Sequence, residues 1–198
     1  TGNVIFIAFA LGGEPGFSVA SSLVALGAFA LGSLVGGRLG SRIGGERMRL
    51  LWTATEVQAL LLAAAAALSA VAGDPVPAGY GYVVIVALGV SMGLQNATAR
   101  KLAVPDLTTT VLTLTITGIF ADSRSAGGGG SKAGRRAVSV LAMFSGALVG
   151  VLAILYASVV YPLVIALAVI AVVSLAGRAL SGRARPSEAA VGKGEPHG

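Results

Sequence analysis

The 198 residues are 55% hydrophobic and only 11% charged, carry a formal net charge of +6 and include no cysteine. Because a soluble globular domain has about 25% charged residues, this composition excludes a water-soluble protein for most of the chain. The lack of cysteine excludes a disulfide framework, a thiolate nucleophile and a cysteine-ligated metal. The basic residues lie between apolar runs, which indicates that they orient the chain in a membrane rather than bind nucleic acid.

In chain order, the apolar runs predict an all-α, polytopic transmembrane helix bundle. Residues 1–11 form a first, short apolar stretch, and residues 107–121 form a second one that is rich in threonine. Both are predicted as re-entrant or broken-helix segments. Five longer runs can each cross a hydrocarbon layer of about 30 Å as a helix, in which every backbone polar group is bonded internally. These five predicted spans are residues 22–37, 50–72, 80–97, 137–155 and 162–180.

The basic residues indicate which connections share one side of the membrane. They form four groups, at residues 38–49, 100–101, 124–136 and 178–193. If residues 107–121 enter the membrane and return to the same side, all 14 lysines and arginines lie together. Cytoplasmic loops are rich in Lys and Arg, so we expect the basic loops and the C-terminal tail to lie on the cytoplasmic side of a bacterial inner membrane.

A nearly identical five-residue pattern occurs twice, as Gly-Ser-Leu-Val-Gly at residues 32–36 and as Gly-Ala-Leu-Val-Gly at residues 146–150. Each copy lies in the span that follows a short apolar stretch, so the order short stretch, span, span occurs in both halves. This order predicts an inverted 3+3 repeat, in which residues 1–79 are a first half without its first helix and residues 80–180 are the second half. Inverted repeats are common in secondary transporters. Residues 181–198 are predicted to be a disordered tail.

The glycines of the repeated pattern predict where helices approach closely. Small residues four positions apart lie on one helix face and allow two backbones to come near each other in a membrane. We therefore predict helix packing at Gly32, Gly36, Gly146 and Gly150.

The strongest prediction of a binding site concerns the end of the third long span. Two adjacent carboxamides end that span, Pro105 then breaks the helix, and Asp106 can cap a new one. A discontinuous helix offers free backbone amides to an anion or a polar substrate. The predicted substrate-binding residues are Asn3, Gln95, Asn96, Asp106, Thr110 and Thr113. The alternative is that the carboxamides only bond between helices and the threonines only satisfy their own backbone.

Glu56 is the acidic residue within a predicted span, with Gln58 close to it in sequence. An ionisable group inside a membrane is a functional hypothesis by default, so Glu56 is a predicted proton or ion site. The alternative is that Glu56 reaches the inner interface, because Arg49 lies only about 10 Å away along the helix.

Three segments together resemble a known family. They are Thr-Gly-Asn-Val at residues 1–4, Gly-Leu-Gln-Asn-Ala-Thr-Ala at 93–99, and Val-Pro-Asp-Leu-Thr-Thr-Thr at 104–110. The chain resembles, over residues 1 to about 180, the YoaK-like bacterial inner-membrane proteins. This family has about six transmembrane helices and no known function. The resemblance implies a first helix before residue 1, so we expect this chain to be a fragment.

Two classes of function remain open. The predicted repeat and broken helices favour a transporter of a small solute or ion that works by alternating access, whereas the shortage of buried charge favours a non-transporting scaffold or regulator. An enzyme is not expected, because no predicted span contains the His, Cys or Lys that would activate a nucleophile or bind zinc. We expect no cofactor and no metal. The expected partners are the lipid bilayer and a small-molecule or ion substrate, and no nucleic acid; the substrate and the oligomeric state stay open.

Overall fold

A computed structural model describes residues 2–43, 45–102, 112–121 and 133–184 of the chain. These residues form seven α-helices and no strand, which confirms the predicted all-α fold. The helices in chain order are α1 (Gly2–Leu11), α2 (Val19–Ile43), α3 (Arg47–Ala72), α4 (Ala78–Leu102), α5 (Leu112–Ala121), α6 (Ala133–Tyr156) and α7 (Val160–Ala184).

Five of the helices correspond to the five predicted spans. By length and composition, α2, α3, α4 and residues Ala137–Tyr156 of α6 can each cross a membrane, while the apolar part of α7 is the shorter stretch Val160–Ala176. The helices extend beyond the predicted spans, because helical hydrogen bonding continues past the last apolar residue into basic sequence such as that at Arg38 and Arg42. The protein is therefore a helical membrane bundle.

The two short apolar stretches are seen as the ten-residue helices α1 and α5. Ten helical residues rise about 15 Å, roughly half of the hydrocarbon thickness. Helix α1 packs on α2, and Phe17 in the connection between them contacts Phe6 and Phe9 at ring-centroid distances of 5.1 and 5.4 Å. Helix α5 packs on α6. Residues 107–111 of the second predicted stretch lie outside the described part of the chain.

The most extensive helix contact joins α2 to α4. Small residues at every fourth position of α2 make this possible, because they form one smooth face. A Cβ on Gly32 would overlap the backbone carbonyl of Val90, and a Cβ on Gly36 would lie 2.8 Å from Ala97 Cβ. Gly40, further along α2, lies next to Lys101, further along α4. Later residues of one helix thus face later residues of the other, so the two helices run parallel. The predicted packing role of Gly32 and Gly36 fits this contact.

The second copy of the glycine pattern has different surroundings. An added Cβ at Gly146 or Gly150 would meet no heavy atom of the described residues within 4 Å. Helix α6 contacts α5 and α7 only sparsely, and 6% of its span is buried, against 22% for α2. The structure therefore places no partner helix against Gly146 and Gly150 within the described ranges.

Helices α3, α4 and α7 surround an apolar core. Its buried residues are Leu62, Ala65, Ala66, Val84 and Leu163. The start of α7 meets the second half of α3 here, and Arg178 near the end of α7 reaches Glu56 in the first half of α3, so the two helices are antiparallel. The core thus closes one end of the three-helix unit.

The ends of the helices indicate how the chain passes through the bundle. Helix α7 runs in the same direction as α4, since its first residues share the apolar core with the first half of α4 and its later ones share a cavity lining with the second half. A short turn at 157–159 joins α6 to α7, and the two helices contact each other. Because consecutive membrane helices joined by a short turn cross the bilayer in opposite directions, α6 runs against α7. Helix α6 therefore begins at the end of the bundle where α2, α4 and α7 finish. We call this the basic end, because Arg42, Arg100, Lys101 and Arg178 lie near it.

Candidate functional site

A cavity of about 340 Å³ lies among α3, α4 and α7, towards the basic end. The same three helices are closed at their other end by the apolar core around Leu62 and Leu163. Small side chains, among them Ala54 and Ala99, leave the space between the helices open where they line it. The lining residues are Leu51, Ala54, Thr55, Gln58, Gln95, Thr98, Ala99, Leu102, Val169, Ile170 and Val173.

Two carboxamides bridge α3 and α4 in the wall of this cavity. Nε2 of Gln58 donates a hydrogen bond to Oε1 of Gln95 over 3.1 Å, and Gln58 is only 9% exposed. A carboxamide has two N–H donors and an oxygen that accepts two bonds. The pair therefore keeps an acceptor site on Gln58 Oε1 and both N–H groups of Gln95 for a further partner.

A hydroxyl group close to this pair has no hydrogen-bond partner among the described residues. Thr98 is 4% exposed, and its Oγ1 makes no hydrogen bond within the part of the chain that the structure describes. The Oγ1 atom is itself buried, so it is not exposed to the cavity, and Ser69 Oγ and Trp52 Nε1 are in the same situation outside the wall. The other threonine of the wall, Thr55, donates to the backbone carbonyl of Leu51 at 2.7 Å. The polar groups of the wall that can meet a ligand are therefore those of the two carboxamides.

The wall of the cavity carries no formal charge. Its lining residues are amides, hydroxyls and hydrocarbons, and the apolar wall contributed by α7 consists of Val169, Ile170 and Val173. The described residues contain no group of three His, Cys, Asp or Glu side chains that could hold a metal ion. The chemistry on offer is hydrogen bonding to a ligand and contact with its apolar surface.

Glu56, the predicted proton or ion site, lies outside this wall. Its carboxylate forms an ion pair with the Arg178 guanidinium at the basic end of α7, and both side chains are about half exposed, at 52% and 54%. The pairing compensates the negative charge of Glu56. A role of this carboxylate as an ion site stays a prediction, and the ion pair supplies it with a simpler role, the attachment of α7 to α3.

The structure does not bring the predicted substrate-binding residues together in one place. Gln95 lines the cavity, whereas the Asn96 side chain donates a hydrogen bond to the Met92 carbonyl of its own helix at 2.8 Å. Asn3 lies on α1, which packs on α2, and is not part of the cavity wall. Asp106 and Thr110 lie outside the described residues, and Thr113 belongs to α5 without a described side chain. Neighbouring residues of a helix point about 100° apart, so Gln95 and Asn96 cannot share one face.

The sequence did contain a signal for the site that is found. Thr55 and Gln58 are three residues apart on α3, and Gln95 and Thr98 are three residues apart on α4. Residues at this spacing lie on the same helix face. The paired arrangement of one glutamine and one threonine on each helix could have predicted two polar faces that meet, although only the structure shows that they do.

Comparison with known proteins places the chain among membrane proteins without a known activity. Residues 1–176 match the model of a protein family described as "Protein of unknown function (DUF1275)". A "UPF0700 transmembrane protein YoaK" of Bacillus subtilis (strain 168) is 30% identical over 128 residues, which are 62% of this chain and 53% of the relative. The chain thus matches about half the length of that curated relative. No solved structure matches it.

Proposed function

We propose that this chain, which belongs to the DUF1275 family of proteins of unknown function, is a membrane transporter for a small solute that works by alternating access. The proposal rests on one observation, the cavity among three apolar helices whose wall holds a bonded pair of carboxamides. Polar groups between membrane helices are expensive unless they are bonded. A ligand that bonds to the remaining donors and acceptors of this pair accounts for their presence in the wall.

The shape of the three-helix unit supports alternating access. Its cavity lies towards the basic end, while Leu62, Ala65 and Leu163 fill the space between the same helices at the opposite end. A transporter must open each end in turn around one site. In this arrangement the apolar core is the closed gate, and transport requires α7 to move away from α3 there.

The directions of the helices support the predicted inverted repeat. Helix α2 ends at the basic end whereas α6 begins there, and α3 is likewise antiparallel to α7. The contacts α1 with α2 and α2 with α3 have counterparts in α5 with α6 and α6 with α7. Opposite orientation with the same order of neighbours is the expected property of an inverted repeat.

For the location, we propose a bacterial cytoplasmic membrane with the basic end on the cytoplasmic side. Arg42, Arg100, Lys101 and Arg178 gather at that end. An excess of Lys and Arg is typical of cytoplasmic loops. The cavity is then nearer to the cytoplasm.

A second candidate function is a scaffold or regulator that transports nothing. Its supporting observation is that several polar side chains of the bundle bond among themselves: Gln58 with Gln95, Asn96 with its own helix, and Glu56 with Arg178. Interhelical bonds of this kind stabilise membrane helices by about 0.6 to 2 kcal/mol.

A flux measurement with a reversible disulfide crosslink distinguishes the two functions. The chain has no cysteine, so the double variant Leu62→Cys/Leu163→Cys places one crosslinkable pair in the apolar core that we propose as the gate. Full-length protein would be reconstituted into vesicles and tested for uptake of a panel of small metabolites. We expect uptake by the reduced protein, its loss on oxidation and its return on reduction. The single variant Leu62→Cys, treated identically, is the control.

Two results would contradict the proposal. Absence of uptake of every panel solute by the reduced and the cysteine-free protein would favour the scaffold. Unchanged uptake after complete crosslinking would show that α3 and α7 do not separate at the core and would overturn alternating access.

A further inference from the structure

We infer that the ligand of this cavity is an uncharged, amphipathic organic molecule whose polar end both donates and accepts hydrogen bonds, as a primary carboxamide does. This inference rests on the proposed function for its physiological meaning, but it concerns binding and is tested by binding. It narrows the substrate from a solute or ion to a chemical class.

The first step concerns charge. None of the described residues that line the cavity is ionisable, and the carboxylate of Glu56 is already paired with Arg178 outside its wall. Moving an ion out of water into a site without a counter-charge is opposed by several kcal/mol. The wall therefore selects against both anions and cations.

The second step concerns the polar end of the ligand. After the Gln58–Gln95 bond is made, the α3–α4 wall still has, among the described residues, an acceptor on Gln58 Oε1 and donors on Gln95 Nε2. A ligand with only acceptors leaves the Gln58 oxygen without a partner, and one with only donors leaves the Gln95 N–H groups without one. A group with both, such as a carboxamide, can pair with the two at once.

The third step concerns the rest of the ligand. Opposite the amides, α7 contributes only Val169, Ile170 and Val173, and Leu51 and Leu102 add further hydrocarbon. A volume of about 340 Å³ is at the lower end of the roughly 300 to 1,000 Å³ that small-molecule sites occupy. The arrangement fits a small molecule with one polar end towards α3 and α4 and an apolar end towards α7.

The test uses four probes of similar size that differ in the polar end: benzamide, benzoate, benzylammonium and toluene. Equilibrium binding to the full-length protein in lipid nanodiscs would be measured by dialysis, with empty nanodiscs subtracted. We expect benzamide to bind at least tenfold more tightly than each of the other three. Binding of either charged probe as tightly as benzamide would overturn the inference, and so would the absence of specific binding by all four.

Variants then locate the binding in this cavity. Gln58→Leu and Gln95→Leu each remove one carboxamide from the wall, so we expect each to lose at least tenfold in benzamide affinity. Asn96→Leu, the adjacent residue outside the wall, should bind normally. Benzamide binding that is indifferent to both Gln58→Leu and Gln95→Leu would overturn the assignment.

Flux and binding separate the two proposals. Specific benzamide binding without uptake of any solute would keep the ligand class and contradict the transporter. Uptake of an ion that Gln58→Leu and Gln95→Leu reduce would keep the transporter and overturn the ligand class.

Discussion

The same five-residue pattern occurs in α2 and in α6, yet its surroundings differ. In α2, the glycines at 32 and 36 are buried so closely against α4 that no Cβ fits beside Val90 and Ala97 without movement. In α6, the glycines at 146 and 150 have open space within the described part of the chain. Small residues therefore permit close packing without causing it.

The difference lies in the partner helix. Helix α4 carries its own small face, in which a Cβ on Gly89 would lie 2.7 Å from Ala28 Cβ and one on Gly93 would overlap the Phe29 carbonyl. Two such faces let backbones approach and gain dispersion contacts along their length. No described helix presents a face of this kind to α6.

The largest expected effect comes from filling the α2–α4 contact. In Gly32→Leu the new side chain meets the Val90 carbonyl, a backbone group that can move only if the helices separate. We expect a loss of about 3 kcal/mol of unfolding free energy, the upper part of the usual range for overpacking, and less folded protein. Thermal unfolding in detergent measures this. Gly27→Leu is the matched control, since Gly27 has open space on the same helix; equal melting of the two variants would contradict the close contact.

A smaller effect is expected where the obstacle is a side chain. A Cβ at Gly36 would lie 2.8 Å from Ala97 Cβ, so Gly36→Ala should destabilise by about 1 to 2 kcal/mol. The double variant Gly36→Ala/Ala97→Gly should lose less than the sum of the two single variants, because the shortest contact is removed and only those with the Leu94 backbone, at 3.0 and 3.2 Å, remain. Additive losses in unfolding measurements would show that the two positions do not touch.

In the α6 copy, substitution should act in the opposite direction. Gly146→Ala and Gly150→Ala add a methyl group in open space, and alanine favours the helix over glycine by up to about 1 kcal/mol. We expect equal or higher melting temperatures. A loss as large as that of Gly36→Ala would instead reveal a helix packed on α6, as the repeat predicts, and would remove the contrast between the two copies.

The smallest expected loss of stability comes from removing a serine hydroxyl, within the first copy at Ser33 or directly before the second at Ser145. Ser33 Oγ donates across the helix contact to the Gly93 carbonyl at 3.4 Å, whereas Ser145 Oγ donates to the Leu141 carbonyl of its own helix at 2.8 Å. Ser33→Ala should therefore cost about 0.6 kcal/mol, the average for interhelical hydrogen bonds in membranes, and Ser145→Ala close to none. Chemical unfolding of both variants in the same detergent measures the two losses. A larger loss for Ser145→Ala than for Ser33→Ala would contradict the hydrogen bond between α2 and α4.

The cavity among α3, α4 and α7 shows where reasoning from sequence stopped. Gln95 was predicted to bind substrate and does line the cavity, but the neighbouring Asn96 bonds to Met92 of its own helix. Adjacency in sequence suggested a shared role, although adjacent helical residues point in different directions. Gln58 and Thr98 were not predicted, because their importance depends on the pairing of α3 with α4, which no local pattern specifies.

Apolar length was sufficient to predict the spans, since a bilayer accepts only long apolar helices and each helix satisfies its own backbone. The spacing of glycines and of the Gln/Thr pairs likewise defines faces, because helical periodicity is a local property. Which faces meet was decided only by the tertiary structure: α2 against α4 through small residues, and α3 with α4 and α7 around a polar cavity. The physical reason is that lipid solvates every apolar face about equally well, so close fit and hydrogen bonds between particular helices, rather than hydrophobicity, select the partners.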